Sequence, residues 1–174
     1  MKVEFFLVPA SALVIAVPAH ATVFLTIEQA QALAFPGATF MKDFRTLTTG
    51  QVSAIERASG TDVRSRELKV WHASDGGWFI VDEVVGKHDF IPIALALDAN
   101  GAVKLVEILE YREAYGGEVR NPKWLAQFTG KQSGAALQLT HDIENISGAT
   151  LSSKHITDGV RRLLATYAVV LATP

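Results

Sequence analysis

Apolar positions along the chain change period four times, and each change predicts an element. Phe5 to Val17 is an uncharged apolar run behind Lys2, and it ends in Pro18-Ala19-His20-Ala21. Helical spacing begins at Thr26-Ile27-Glu28-Gln29, which fits a capping box; Ile27, Ala30, Leu33 and Ala34 share a face before Pro36-Gly37 stops the turn. A second helix is expected from about Thr49 to Ala58, with Val52 and Ile55 inward and Gly60 as its stop. The period then becomes alternating. Segments near 67–73 and 78–85 flank Asp75-Gly76-Gly77, and segments near 90–97 and 102–110 flank Asp98-Ala99-Asn100-Gly101. Turns of that composition supply the positive φ that a hairpin needs, so the four segments predict an antiparallel sheet. Tyr111 to Val119 is too glycine-rich for a regular element and reads as a shaped loop. Pro122 to Phe128 reads as a short helix with Trp124, Leu125 and Phe128 on its apolar side. The clearest element is last: Ile156, Val160, Leu163, Leu164, Tyr167, Val170 and Leu171 recur at helical spacing, with Asp158, Arg161 and Arg162 expected to face away. The fold class is α+β: an antiparallel sheet of hairpins packed against a long C-terminal helix that starts just after Thr150, with short helices at the N-terminus.

Length and charge narrow the function. The chain has 174 residues, 49% hydrophobic and 20% charged, enough for one domain with a core of its own. It has no cysteine, which excludes disulfide frameworks, thiolate metal sites and Cys nucleophiles. A net charge of -2 supplies no basic field for a phosphate backbone, so nucleic acid is not an expected partner. The opening apolar run is short for a membrane span, and Ala19-His20-Ala21 has the small-x-small pattern of a signal-peptidase site. Residues 1–21 are therefore read as a signal peptide and 22–174 as the exported domain, with an uncleaved anchor as the alternative.

Most catalytic constellations are missing from the sequence. It has no nucleophile elbow, phosphate-binding loop or HExxH, and His20, His72, His88, His141 and His155 show no metal-ligand spacing. What remains is Ser147-Gly148-Ala149-Thr150-Leu151-Ser152-Ser153, directly ahead of the long helix. Such residues can simply cap a helix, their oxygens accepting from the unpaired N–H groups of the first turn. The same geometry can hold an anion, because the backbone is accessible and the helix dipole favours negative charge there.

The stretch Asp142-Ile143-Glu144-Asn145-Ile146-Ser147-Gly148-Ala149-Thr150 resembles the flavinylation motif of FMN-binding-domain proteins. That family includes flavin-carrying subunits of the sodium-pumping NADH:quinone oxidoreductase and of the Rnf complex. Thr26 to Gly37 is similar to the helix that opens many small periplasmic members, and Leu105 to Lys131 resembles their strand, loop and Trp-containing helix. The family usually has aspartate six positions before the acceptor threonine, where this chain has Glu144. The resemblance implies covalent FMN on Thr150 through a phosphoester, placed there by a flavin transferase. It implies a periplasmic electron-transfer protein working with membrane or periplasmic redox partners, rather than an independent enzyme. Ser147, Gly148, Ala149 and Leu151 flank the attachment point and are expected at the phosphate end, while Glu113, Tyr115 and Trp124 are candidates for the flavin ring. The alternatives are a flavin-free periplasmic binding or interaction module and a flavin-dependent reductase with its own substrate.

Overall fold

The computed structural model describes residues 22–113 and 115–172, so the leader assigned to 1–21 lies outside the described residues. In chain order the elements are β1 (Thr22–Val23), α1 (Ile27–Ala34), β2 (Phe40–Lys42), β3 (Arg45–Thr46), α2 (Thr49–Ser59), β4 (Glu67–Ala73), β5 (Trp78–Val85), β6 (Phe90–Leu97), β7 (Val103–Ile108), β8 (Glu110–Tyr111), α3 (Pro122–Leu125) and α4 (Thr150–Thr166). The main sheet runs β2-β4-β5-β6-β7, antiparallel throughout, with β3 also paired to β4. Its centre is the pair of hairpins expected from the turn glycines, and Gly76 and Gly101 have φ of 89° and 78°. The edge strands β2 and β3 have no counterpart in the sequence pattern, because two or three residues are too few to show a period.

The sheet is covered on both faces. On one side α2 and α4 pack over Leu68, Val70, Ile80, Val84, Ile91, Ile93, Leu95 and Leu97; on the other, α1 and Phe35 pack over Trp71, Ala73, Phe79, Val81, Ala94 and Ala96. This explains why β6 reads as an unbroken apolar run instead of alternating: both its faces are buried. Gly159 lets α4 lie against β5, since a Cβ there would overlap Val84 Cγ1. Among the described residues no helix is long and apolar enough to cross a membrane.

Three expectations from the sequence need correction. In α1 the inward residues are Ala30, Gln31 and Ala34, whereas Leu33 is 58% exposed. Arg162 does not face away: it is buried, and its guanidinium donates to Asp82 Oδ2 at 2.7 Å and to the Glu83 carbonyl at 3.2 Å. Asp82 sits on the side of β5 that α4 covers, so the helix must bring a cation to it. Arg161 is half-buried too, donating to the carbonyls of Ser59 and Leu137 at 2.7 and 2.9 Å. The 122–128 helix is α3 followed by a 3-10 turn over Ala126–Phe128, and α4 continues as a π-helical turn over Tyr167–Leu171.

Candidate functional site

Three segments meet beside the first turn of α4 and enclose a cleft of about 350 Å³. One wall is Gly148, Ala149, Leu151 and Ser152; the other is Lys87 and His88, from the turn between β5 and β6; the floor is Glu113, Tyr115 and Gly116.

The helix wall is unusual in how it begins. The N-cap position of α4 is Ala149, which brings no side-chain acceptor, so the hydroxyls around it do not cap the helix. The first intrahelical bond is Ser153 N–H to the Ala149 carbonyl, 2.9 Å, which leaves the N–H groups of Thr150, Leu151 and Ser152 ahead of it at the helix end. Gly148 has φ 84°, and a Cβ at that position would meet nothing within 4 Å, so the chain there turns into open space. Thr150 follows as the first helical residue with an exposed side chain, and Ser147 and Gly148 before it are also exposed.

The opposite wall is fixed by a carboxylate. Glu113 Oε1 accepts the backbone N–H groups of His88 and Asp89 at 2.6 and 3.0 Å, while Gly86 N–H closes the turn on the Asp89 carbonyl at 2.7 Å. A Cβ at Gly86 would overlap the Asp89 backbone carbonyl as well as Glu113 Oε1, so the approach needs glycine. Burial opposes ionisation of Glu113, but the backbone N–H groups of His88, Asp89 and Lys87 outweigh it and hold the carboxyl below its ordinary range. The floor is tied to the helix wall as well. Tyr111 Oη donates to the Tyr115 carbonyl at 2.7 Å and lies 3.3 Å from Ser152 Oγ, the serine hydroxyl then being the donor of that second contact. Burial pushes the Tyr111 phenol up, which keeps it neutral and a donor.

The structure thus brings Gly148, Ala149, Leu151, Glu113 and Tyr115 to one cleft; Thr150 and Ser147 are exposed and adjoin these residues in sequence but do not line it. Tyr115 is 84% exposed and Leu151 44%, an apolar rim. Trp124 is not part of it. Its ring is buried in the core against Phe128, and its indole N–H donates to the Glu144 carbonyl at 2.7 Å. Glu144 N–H in turn donates to Gln127 Oε1 at 2.8 Å, so Trp124 and Gln127 together hold the stretch of chain that leads into Thr150. Asp142 is engaged differently: its carboxylate accepts from Leu137 and Gln138 N–H at 3.1 and 2.5 Å and faces Lys131 at 3.5 Å. The side chain of Glu144 is exposed. Lys87, His88, Gly116 and Ser152 join the cleft without a signal in the sequence that marks them for it. Gly86-Lys87-His88-Asp89 is recognisable as a turn, but only tertiary packing brings it against α4.

Comparison with known proteins finds a match over this part of the chain. Residues 86–165, which carry every wall of the cleft, match the model of the FMN-binding domain. A 59-residue stretch is 37% identical to the C subunit of the Na(+)-translocating NADH-quinone reductase of Pasteurella multocida, covering 26% of this chain and 23% of that protein. The chain therefore matches about a quarter of the length of that curated relative. The crystal structure of the corresponding C subunit of the Na(+)-translocating NADH-quinone reductase from Parabacteroides distasonis superposes with a TM-score of 0.52 at 15% identity, over 78% of this chain and 80% of that one. At that identity the likeness speaks for the fold. The helix start and the cleft beside it both lie within residues 86–165, the stretch that is similar to the FMN-binding domain.

Proposed function

We propose that the chain is an exported electron-transfer flavoprotein that carries FMN covalently through a phosphoester to Thr150. The observation that carries this reading is the state of that residue: an exposed threonine, first in α4, unspent on capping, between the cleft-lining Ala149 and Leu151 in the stretch that matches the FMN-binding domain.

The residues present fit the group. Gly148 leaves open space above the turn, the leading N–H groups of α4 point toward an anion bound there, and Lys87 adds a cation across the cleft. The volume lies at the small end of ligand pockets, roughly 300–1,000 Å³, which suits a cofactor whose ring stays partly open to a partner. Bound FMN supplies one- and two-electron chemistry. The chain's part is to hold and expose it. A tether keeps the cofactor at a fixed local concentration outside the cytoplasm, where a dissociable flavin would be diluted away.

Attachment needs an external catalyst, a flavin transferase acting on FAD. Thr150 Oγ1 forms a new bond to the FMN phosphorus, the pyrophosphate bond breaks with AMP as leaving group, and the hydroxyl proton passes to a base on the transferase. Glu144 is available to that enzyme, because its side chain is exposed while its backbone is anchored by Trp124 and Gln127. Redox partners would be membrane or periplasmic proteins that reach the Tyr115 and Leu151 rim. Export rests on the apolar run before Ala21, and the mature protein would start at Thr22.

The test is intact mass of the exported protein, expressed with and without a flavin transferase. The expected result is a gain of one FMN less one water only with the transferase, on a chain starting at Thr22. A colourless protein of unchanged mass in both would favour the flavin-free interaction module.

A further inference from the structure

The charges of the cleft are unevenly spent. Glu113 is its one acidic lining residue, and Oε1 of that carboxylate is occupied by two backbone N–H groups. Lys87, on the facing wall, is exposed and takes part in no ion pair among the described residues. The nearest acid in sequence, Asp89, faces Arg112 at 3.9 Å, and Arg112 also donates to Glu110 at 2.7 Å. A free ammonium therefore borders the cleft, and the turn that carries it is held from behind. We infer that Lys87 sets the reduction potential of the FMN held in this cleft, as a cation presented by a turn that Glu113 clamps. The inference rests on the reading of Thr150 as the attachment point.

The effect is one of charge. Reduction adds negative charge to a flavin ring wherever fewer protons than electrons arrive, and a fixed cation across a small cleft favours that charge. An ammonium on a loose surface turn would be averaged over many positions and screened by salt. Here the turn is closed by Gly86 N–H on the Asp89 carbonyl and pinned by Glu113, so the residue's backbone is fixed even though its side chain is exposed. Glu113 thereby positions the turn that carries Lys87. Both of its bonds use the same oxygen, Oε1. A glutamine could make both; an alanine could make neither.

The experiment is a potentiometric titration of the full chain loaded by a transferase, comparing wild type with K87R, K87Q and K87E at fixed pH and ionic strength. All are substitutions on an exposed turn. K87R should keep the wild-type potential, K87Q should lower it, and K87E should lower it further. Each unit of charge removed should lower the reduced-to-oxidised ratio in the same direction, by up to about tenfold. The spread should shrink as salt is raised. The K87Q shift is then remeasured in two backgrounds, so that the charge of Glu113 itself cancels. It should persist in E113Q and shrink in E113A. Loaded Lys87 variants with equal potentials would overturn the inference while leaving Thr150 standing. A K87Q shift of full size in E113A would overturn the clamp. A wild type that takes no covalent flavin would sink the attachment reading first and this inference with it.

Discussion

Two of the longer helices begin in a closed way and one does not. Thr26 ahead of α1 and Thr48 ahead of α2 each complete a capping box, their hydroxyls accepting from the N–H of Gln29 and Gln51 at 3.2 Å while those glutamines accept from the cap N–H. α4 has hydroxyl residues in the same stretch of sequence, yet its cap is Ala149 and no side chain closes the end. The difference is one of register. Thr26 and Thr48 stand one position before their helices, whereas Thr150 stands one position inside and does not cap the helix. A hydroxyl near a helix start is therefore spent on the cap or left free according to a single residue of offset, and α4 leaves its third N–H and an exposed threonine unengaged where α1 and α2 spend both.

The contrast can first be stressed through the body that holds α4 in place. Gly159→Val should force the helix off Val84 and cost about 3 kcal/mol by overpacking, read as a shift in the urea midpoint. It should lower flavinylation only in proportion to the unfolded fraction. Gly148→Ala is sharper, because it strains the open end alone: a non-glycine residue at φ 84° should cost about 1–2 kcal/mol, and labelling of Thr150 should fall well beyond what that stability loss explains. Closed and open ends should then separate cleanly. Thr26→Ala and Thr48→Ala should each cost about 1 kcal/mol with no effect on labelling. Thr150→Ala should cost less than about 0.5 kcal/mol in the unflavinylated protein, as an exposed residue with no cap to lose. Equal costs at the three threonines would erase the distinction.

The smallest expected effect is at the facing wall and depends on pH. Glu113 is held below its ordinary value, so its clamp is fully present above the unfolded pKa of about 4.3 and is lost as pH falls through the lower folded value. Amide exchange at His88 and Asp89, corrected for intrinsic rate, should lose protection in that acid window. Glu113→Gln should remove the pH dependence and keep the protection. Protection that rises on acidification would contradict the sign.

Much of the frame is legible in the sequence because its signals are local. The hairpin strands follow from Gly76 and Gly101 between strand-length apolar or alternating runs, and Gly60 ends α2 in the left-handed conformation expected of it. The start of α4 just after Ala149 is legible because its signal lies in one piece of chain. Burial of Arg162 is not, because the charge it answers, Asp82, sits on another element. Trp124 is a candidate for the flavin ring by its place in the sequence; its ring instead fills the core while its N–H anchors the approach to the site. The cleft itself is only half visible. Its helix wall is contiguous in sequence, but Lys87, His88 and Glu113 arrive from two other segments joined to it by the clamp and by the Tyr111–Ser152 contact.

That the flavin hangs on one oxygen is best tested by locating the attachment. Trypsin should release residues 132–154 as one peptide, since no Lys or Arg lies between Lys131 and Lys154. This peptide should carry the flavin mass on Thr150. Thr150→Ser should retain partial in-gel fluorescence under denaturing conditions and Thr150→Ala none. Ser152 and Ser153 are buried, so among the neighbouring hydroxyls Ser147 is the exposed competitor. A Thr150→Ala protein that still fluoresces after denaturation, or flavin mass on any other peptide, would contradict attachment at Thr150.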